Sequence, residues 1–249
     1  MFNSLWHTIF FDPIYNSLIF FIDALPGGDV GLAIVCTVVL VKLVLLPLSF
    51  KAARTQLAMR MIEPKLKEIR EKYKDKREEM AQHMLALYKD AGVNPFSSIL
   101  LLFIQIPVVI ALYLAVYRGG GVPLPDVNVA LLYSFIPSPE TINLLFLGLL
   151  DITTRSIPLA LLAGVTQYIH TNLTLPKHTP RDPNAGQNFK EDLARSMNLQ
   201  MRYVMPVIVF MVAYSISAAI ALYFAVSNLV AIGQEYLVRH KGLKTPTRN

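Results

Sequence analysis

The sequence predicts an all-α polytopic membrane protein: five transmembrane helices, an antiparallel helical hairpin on the cytoplasmic side and an N-terminal helix lying in the outer membrane interface. Three observations predict it. The 249 residues are 54% hydrophobic and 16% charged, with a mean hydropathy of +0.46, where a soluble domain carries about 25% charge. The apolar residues gather into runs close to the roughly 20 needed to cross a bilayer core. The formal charge of +6 is concentrated in segments that alternate with those runs, which bears on orientation rather than on nucleic-acid binding.

Residues 1–28 open the chain. Leu5, Trp6, Ile9, Phe10, Ile14, Leu18, Phe21 and Ile22 recur at helical spacing, and the aromatics suit the headgroup zone, so an interfacial helix is expected. A short transmembrane anchor is the other reading. The segment has no Lys or Arg, and Asp12, Pro13 and Asp23 interrupt its apolar stretch, so no cleavable signal peptide is expected. Pro26, Gly27 and Gly28 make a turn. The first span follows at 29–50.

Segment 51–95 is basic. Its apolar positions Ile62, Leu66, Ile69 and Tyr73 step by four, three and four, and Met80, Met84, Leu87 and Ala91 repeat the pattern. Two short helices with matching seams, joined near Asp75, predict an antiparallel coiled-coil hairpin. Pro64 suits the first turn of the first arm, and Gly92 the position just past the second. The second span, 96–117, is interrupted by Gln105 and Pro107. An outer loop covers 118–155, and its apolar run 142–150 is too short to cross. The third span is 156–173, and a polar cytoplasmic loop is 174–199. Residues 203–238 would be about 54 Å long as one helix, too long for a bilayer about 30 Å thick. The polar stretch from Tyr214 to Ser217 therefore predicts a fourth and a fifth span joined by a tight turn. A basic tail, 239–249, ends the chain.

Positive charge orients the spans. Segment 51–95 carries 11 Lys and Arg, 174–202 carries 5 and the tail carries 4. Residues 1–28 carry none, and loop 118–155 has only Arg118 and Arg155. Five spans then put the N-terminus outside and the C-terminus in the cytoplasm, in a bacterial plasma membrane. The tail reads either as a positive-inside anchor or as a contact for anionic lipid or ribosomal RNA.

Lys42 is the leading functional candidate, because it lies within the first span. An ammonium at that depth costs roughly 3 kcal/mol on insertion scales, and charges kept there usually face a watery cavity or a partner. Snorkelling to the inner headgroups is the plain alternative. Pro47 removes the backbone bond to the Leu43 carbonyl, and a bend there would help open a pocket. Gln105, Thr166, Gln167, His170, Ser227 and Asn228 are the other polar groups at membrane depth. Singly each reads as an interhelical hydrogen bond; together they suffice to wet a groove. No carboxylate lies deep in a span, which argues against a proton or sodium relay. The chain has no GxSxG, HExxH or GxxxxGK[ST] motif and no paired intramembrane aspartates. Catalytic residues, cofactor and metal are therefore expected to be absent. Cys36 is the only cysteine, so no disulfide forms within the chain. The basic hairpin, with Met59, Met61, Met80 and Met84 as pliable apolar surface, reads either as a solvated cap or as a contact arm.

Several blocks carry a resemblance. LVKLVLLPL, then MRMIEPKLKEIREKY, ALYKDAGVNPF, FIQIPVVIALY and LYFAVSNLVAIGQE follow one another between residues 29 and 238. Together they resemble the YidC/Oxa/Alb membrane insertase family, in its short bacterial form without the large outer domain. The resemblance implies five core spans around a hydrophilic groove that opens to the cytoplasm and sideways to lipid. It places Lys42 where the family usually has a groove arginine, so the charge is kept and the bidentate fork is lost. It assigns client contact to Tyr223 and Phe224, and with Lys42, Gln105, Gln167, His170 and Asn228 these form the expected client-binding set. The implied activity is insertion and folding of nascent membrane proteins, with the chain working as a monomer in the bilayer. The ribosome and the Sec translocon remain open as partners. A transporter or channel for small solutes, with Lys42 as an anion site, is the alternative from another class, although no inverted repeat accompanies it.

Overall fold

A computed structural model describes residues 2–92, 97–118, 121–175, 196 and 199–242. The loop 174–199 and the tail 239–249 therefore lie largely outside the described residues, as do Asn94 and Pro95. The chain divides into two compact units, one of residues 1–44 with 105–232 and one of 45–104 with 233–249.

The first unit begins with α1 (Phe2–Trp6), a π-helical turn (His7–Phe11) and α2 (Asp12–Ala24). One face of α2 is core: Tyr15, Leu18, Ile19 and Ile22 are essentially fully buried, and α2 packs along α3 (Val30–Val44). Its buried polar residues bind the loop at 121–155. Asn16 donates to the Leu131 carbonyl at 2.9 Å and accepts from the Tyr133 amide at 2.7 Å, and the Tyr15 hydroxyl accepts from the Asn128 amide at 2.9 Å. These partners are more than a hundred residues away, so helical periodicity alone does not reveal them.

Asp29 holds the start of α3. One carboxylate oxygen accepts from the Leu32 amide at 3.0 Å, as an N-cap does, and the other accepts from the Leu147 amide at 2.7 Å. Leu147 and Gly148, both at positive φ, lie between β1 (Leu145–Phe146) and β2 (Leu150–Asp151), a two-stranded antiparallel hairpin inside the run 142–150. Gly31 lets α3 lie against this hairpin, because a Cβ there would collide with the Phe146 ring.

In this unit α7 (Ile157–Thr174), capped by the Ser156 hydroxyl, packs on α8 (Met205–Ile216), and Gly164 brings the helices close at Pro206 and Phe210. Such small-residue contacts are typical of helices packed in lipid. The single extended residue Ser217 separates α8 from α9 (Ala218–Gly242). The first amides of α9, at Ala218 and Ala219, donate to the carbonyls of Thr154 and Ile152, and the Ser217 hydroxyl accepts from Ile220. The orphan donors of a helix start are thus satisfied by that same loop.

In the second unit, α4 (Leu46–Lys72) and α5 (Arg77–Asp90) pair through a turn at residues 73–76. Ile62, Leu66, Ile69, Tyr73, Met80, Met84, Leu87 and Ala91 are all buried or half-buried, and Tyr73 stacks on His83 with centroids 4.3 Å apart. Pro64 departs from expectation. It lies inside α4 rather than in a first turn, because the helix begins at Leu46 and runs through it. Residue 45 separates α3 from α4, with Pro47 in the first turn of α4. The stretch expected as one helix to residue 50 is therefore broken. Pro47 has no N–H to give the Leu43 carbonyl.

α6 (Ser97–Tyr117) contains Pro107 and runs on unbroken past it. Among the described residues, Ala218–Arg239 is the one helical stretch long and apolar enough to cross a membrane unaided. Val30–Val44 with Leu46–Met59 qualifies as a broken span, and Phe103–Tyr117 and Gln200–Ile216 are shorter apolar helices. The fold is thus mostly helical with one small hairpin.

Replacing Asp29 with Ala removes both the cap and the Leu147 bond. We expect a loss of about 1–2 kcal/mol, read as a lower midpoint of thermal unfolding in detergent, with Asp29→Asn losing less.

Candidate functional site

The site is built on α3, α6, α7 and α9 within the first unit. The Lys42 ammonium donates to Gln105 Oε1 at 3.1 Å, and Gln105 Nε2 donates to Ser227 Oγ at 3.5 Å. An ammonium can only donate, so it fixes the Gln105 amide with its oxygen toward α3 and its nitrogen toward α9. One side chain thereby relays a polar contact across three helices. Val38, Val41, Val108 and Tyr223 complete the walls. Valines make up most of the remaining walls around the charge.

Tyr223 is 1% exposed, and its hydroxyl lies near Ser227 without a hydrogen bond of good geometry among the described residues. The Thr37 hydroxyl on α3 is buried and unpartnered in the same sense. A buried hydroxyl without a partner costs about 1–3 kcal/mol. Phe224 meets the Tyr223 ring edge-on at 5.4 Å and is half-buried. His170, near the end of α7, lies within electrostatic range of the Lys42 ammonium. The cavity that Lys42, Gln105 and Tyr223 line measures about 10 Å³, the space of roughly one water molecule.

Not every expected member joins this chain. Gln167 donates to Thr171 on its own helix at 3.2 Å. Asn228 donates to the Ala163 carbonyl and the Thr166 hydroxyl, each at 3.4 Å, and so ties α9 to α7. Ser227, one residue earlier, is the group that reaches Gln105. Its helical phase relative to Tyr223 was the available signal, since residues four apart share a face. Thr37 was missed because a threonine in an apolar helix ordinarily bonds back to its own backbone. Among the described residues, no group of three or more His, Cys, Asp or Glu comes together as a metal site.

Comparison with known proteins gives this geometry its context. Residues 21–245 match the family described as 60Kd inner membrane protein. A membrane protein insertase YidC of Clostridium tetani is 31% identical over 86% of this chain and 83% of its own. Membrane protein insertase YidC 2 of Bacillus anthracis is 28% identical over 97% and 84%, and membrane protein insertase MisCA of Bacillus subtilis is 26% identical over 92% and 77%. The chain belongs to the 60Kd inner membrane protein family, to which the YidC and Oxa1 proteins belong.

Replacing Gln105 with Leu leaves the Lys42 ammonium without its amide acceptor. We expect about 1.5–3 kcal/mol of destabilisation, against about 1 kcal/mol for Asn228→Ala, which removes an ordinary interhelical bond. Unfolding of the purified protein in detergent micelles measures both.

Proposed function

We propose that this protein inserts membrane proteins into the bilayer through a hydrophilic groove lined by Lys42, and aids their folding. The observation that carries the proposal is the Lys42–Gln105–Ser227 chain, a cation held between apolar helices in a family whose relatives are named insertases. In this reading five spans surround the groove, the N-terminus is outside, the C-terminus is cytoplasmic, and the membrane is the bacterial plasma membrane.

The mechanism follows from the cost of carrying a polar tail through lipid. A client segment with acidic residues is drawn to the Lys42 ammonium, a point charge that needs no particular orientation of its partner. The Lys42 ammonium exchanges its bond to Gln105 Oε1 for one to the client carboxylate and so stays satisfied before and after arrival, while the freed Gln105 oxygen accepts from a client N–H. The space beside Lys42 holds about one water, so a client is admitted only as α3 and α9 part at Val38, Val41 and Tyr223. Those contacts are mostly apolar and are replaced by apolar contacts with the client. The client's hydrophobic segment then slides along Tyr223 and Phe224 and leaves sideways. Transfer of its apolar surface to lipid supplies free energy of roughly 25 cal/mol per Å². Gln167, His170 and Asn228 line the path. The basic hairpin receives the client at the cytoplasmic surface. An anion transporter built on Lys42 is not favoured, since the compared relatives are named insertases.

Reconstitution into vesicles with a single-spanning client bearing an acidic N-terminal tail tests the mechanism. Lys42→Arg is expected to insert the client as the parent protein does, Lys42→Ala to insert it poorly, and Lys42→Glu to fall to the level of empty vesicles. Normal insertion by Lys42→Glu would sink the role of the charge.

A further inference from the structure

A second cavity, of about 410 Å³, lies far from Lys42 in sequence and is lined by Leu149, Asp151, Arg155, Ile157 and Tyr214, among others. It falls in the size range of small-ligand sites. Two opposite charges share it without pairing. The Arg155 guanidinium lies over the Tyr214 ring, 6.0 Å from its centroid, and makes no ion pair among the described residues. Asp151 Oδ1 is occupied by the Thr153 amide and hydroxyl at 2.8 and 2.7 Å, while Oδ2 has no hydrogen bond among the described residues. Tyr214 in turn stacks on Phe210, so the guanidinium rests on an aromatic shelf.

The rim of the cavity is apolar and open. Leu149 is 82% exposed and Ile157 55%, and the exposed surface continues along α7 through Leu161 and Val165 and along α8 through Val207, Ile208 and Met211. A ligand suited to both features has an anion for Arg155, a cation for Asp151 and an apolar body that spreads over these leucines, isoleucines and valines. We propose that the cavity binds the headgroup of a zwitterionic phospholipid, its phosphate on Arg155 and its primary ammonium on Asp151. The acyl chains lie along the apolar faces of α7 and α8. A purely anionic lipid satisfies Arg155 but meets the Asp151 carboxylate. A quaternary ammonium lacks the N–H donors that Oδ2 can accept. The site rests on the reading of α7 and α8 as helices that cross the bilayer.

The full-length protein in nanodiscs of mixed phosphoethanolamine, phosphocholine and phosphoglycerol lipids provides the test, with retained lipid read by native mass spectrometry. The parent protein is expected to retain the phosphoethanolamine lipid preferentially. Arg155→Gln is expected to lower total retention about tenfold, in line with the loss of one charge-assisted bond, and Arg155→Lys to restore much of it. Asp151→Asn should keep total retention and lose the preference for phosphoethanolamine over phosphoglycerol. Unchanged retention in Arg155→Gln, or a parent protein without headgroup preference, overturns the proposal. So does equal competition by water-soluble glycerophosphoethanolamine, which would assign the cavity to a soluble phosphoester. Thermal unfolding in lipid-free detergent shows that each variant is folded. Shielding of single cysteines placed in α7 and α8, with Cys36 replaced, from a membrane-impermeant thiol reagent tests the span reading by itself, so a failed lipid preference with those positions shielded counts against the pocket alone.

Discussion

One ammonium group sets the terms for the helices around it. Lys42 lies among valines and an aromatic ring, and a charge so placed is tolerable only with a polar partner. Gln105 meets that need from another helix and passes the contact to Ser227 on a third. A hydrogen bond to a charged group contributes about 1.5–3 kcal/mol, which is comparable to the roughly 3 kcal/mol that insertion scales assign to a buried lysine. The near balance matters. The amine is stable enough to sit there, and its present partner holds it only moderately, which is what the proposed exchange with a client carboxylate requires.

The opposite end of the same unit is organised differently. There backbone amides find acceptors: the Asp29 carboxylate caps α3 and grips Leu147, the Ser156 hydroxyl caps α7, and the first amides of α9 are taken by the carbonyls of Ile152 and Thr154. Asn16 and Tyr15 tie α2 to the loop that makes these contacts. Helix starts are where unsatisfied donors accumulate, and here one loop serves several of them. Beside Lys42 the aliphatic walls are crossed by a single chain of side-chain bonds through Gln105, whereas this end is held by many directional bonds.

How much of this was legible depended on whether the partners were local. The hairpin seam could be read residue by residue, because Leu66 and Met84 are buried by a neighbour whose pattern has the same period. Lys42 and Gln105 stood out as polar groups in apolar runs, although only the fold paired them. Tyr223 and Phe224 were reached through family resemblance and not through any pattern of their own. The hairpin at 145–151 was not legible, since its turn places a leucine at positive φ and depends on an aspartate more than a hundred residues earlier. The break at residue 45 was foreshadowed by Pro47, but a proline can also bend a helix that continues, as Pro64 and Pro107 show in α4 and α6. Asn228 shows the converse problem. Its sequence position suggested the groove, and its amide is engaged with α7.

The loop that satisfies the starts of α3 and α9 has a bioenergetic consequence. Space for about one water beside Lys42, with hydrogen bonds stitching the other end, gives ions no continuous wet path among the described residues. On the proposed reading, a machine of this design thins the barrier for a polypeptide without short-circuiting the voltage across its membrane.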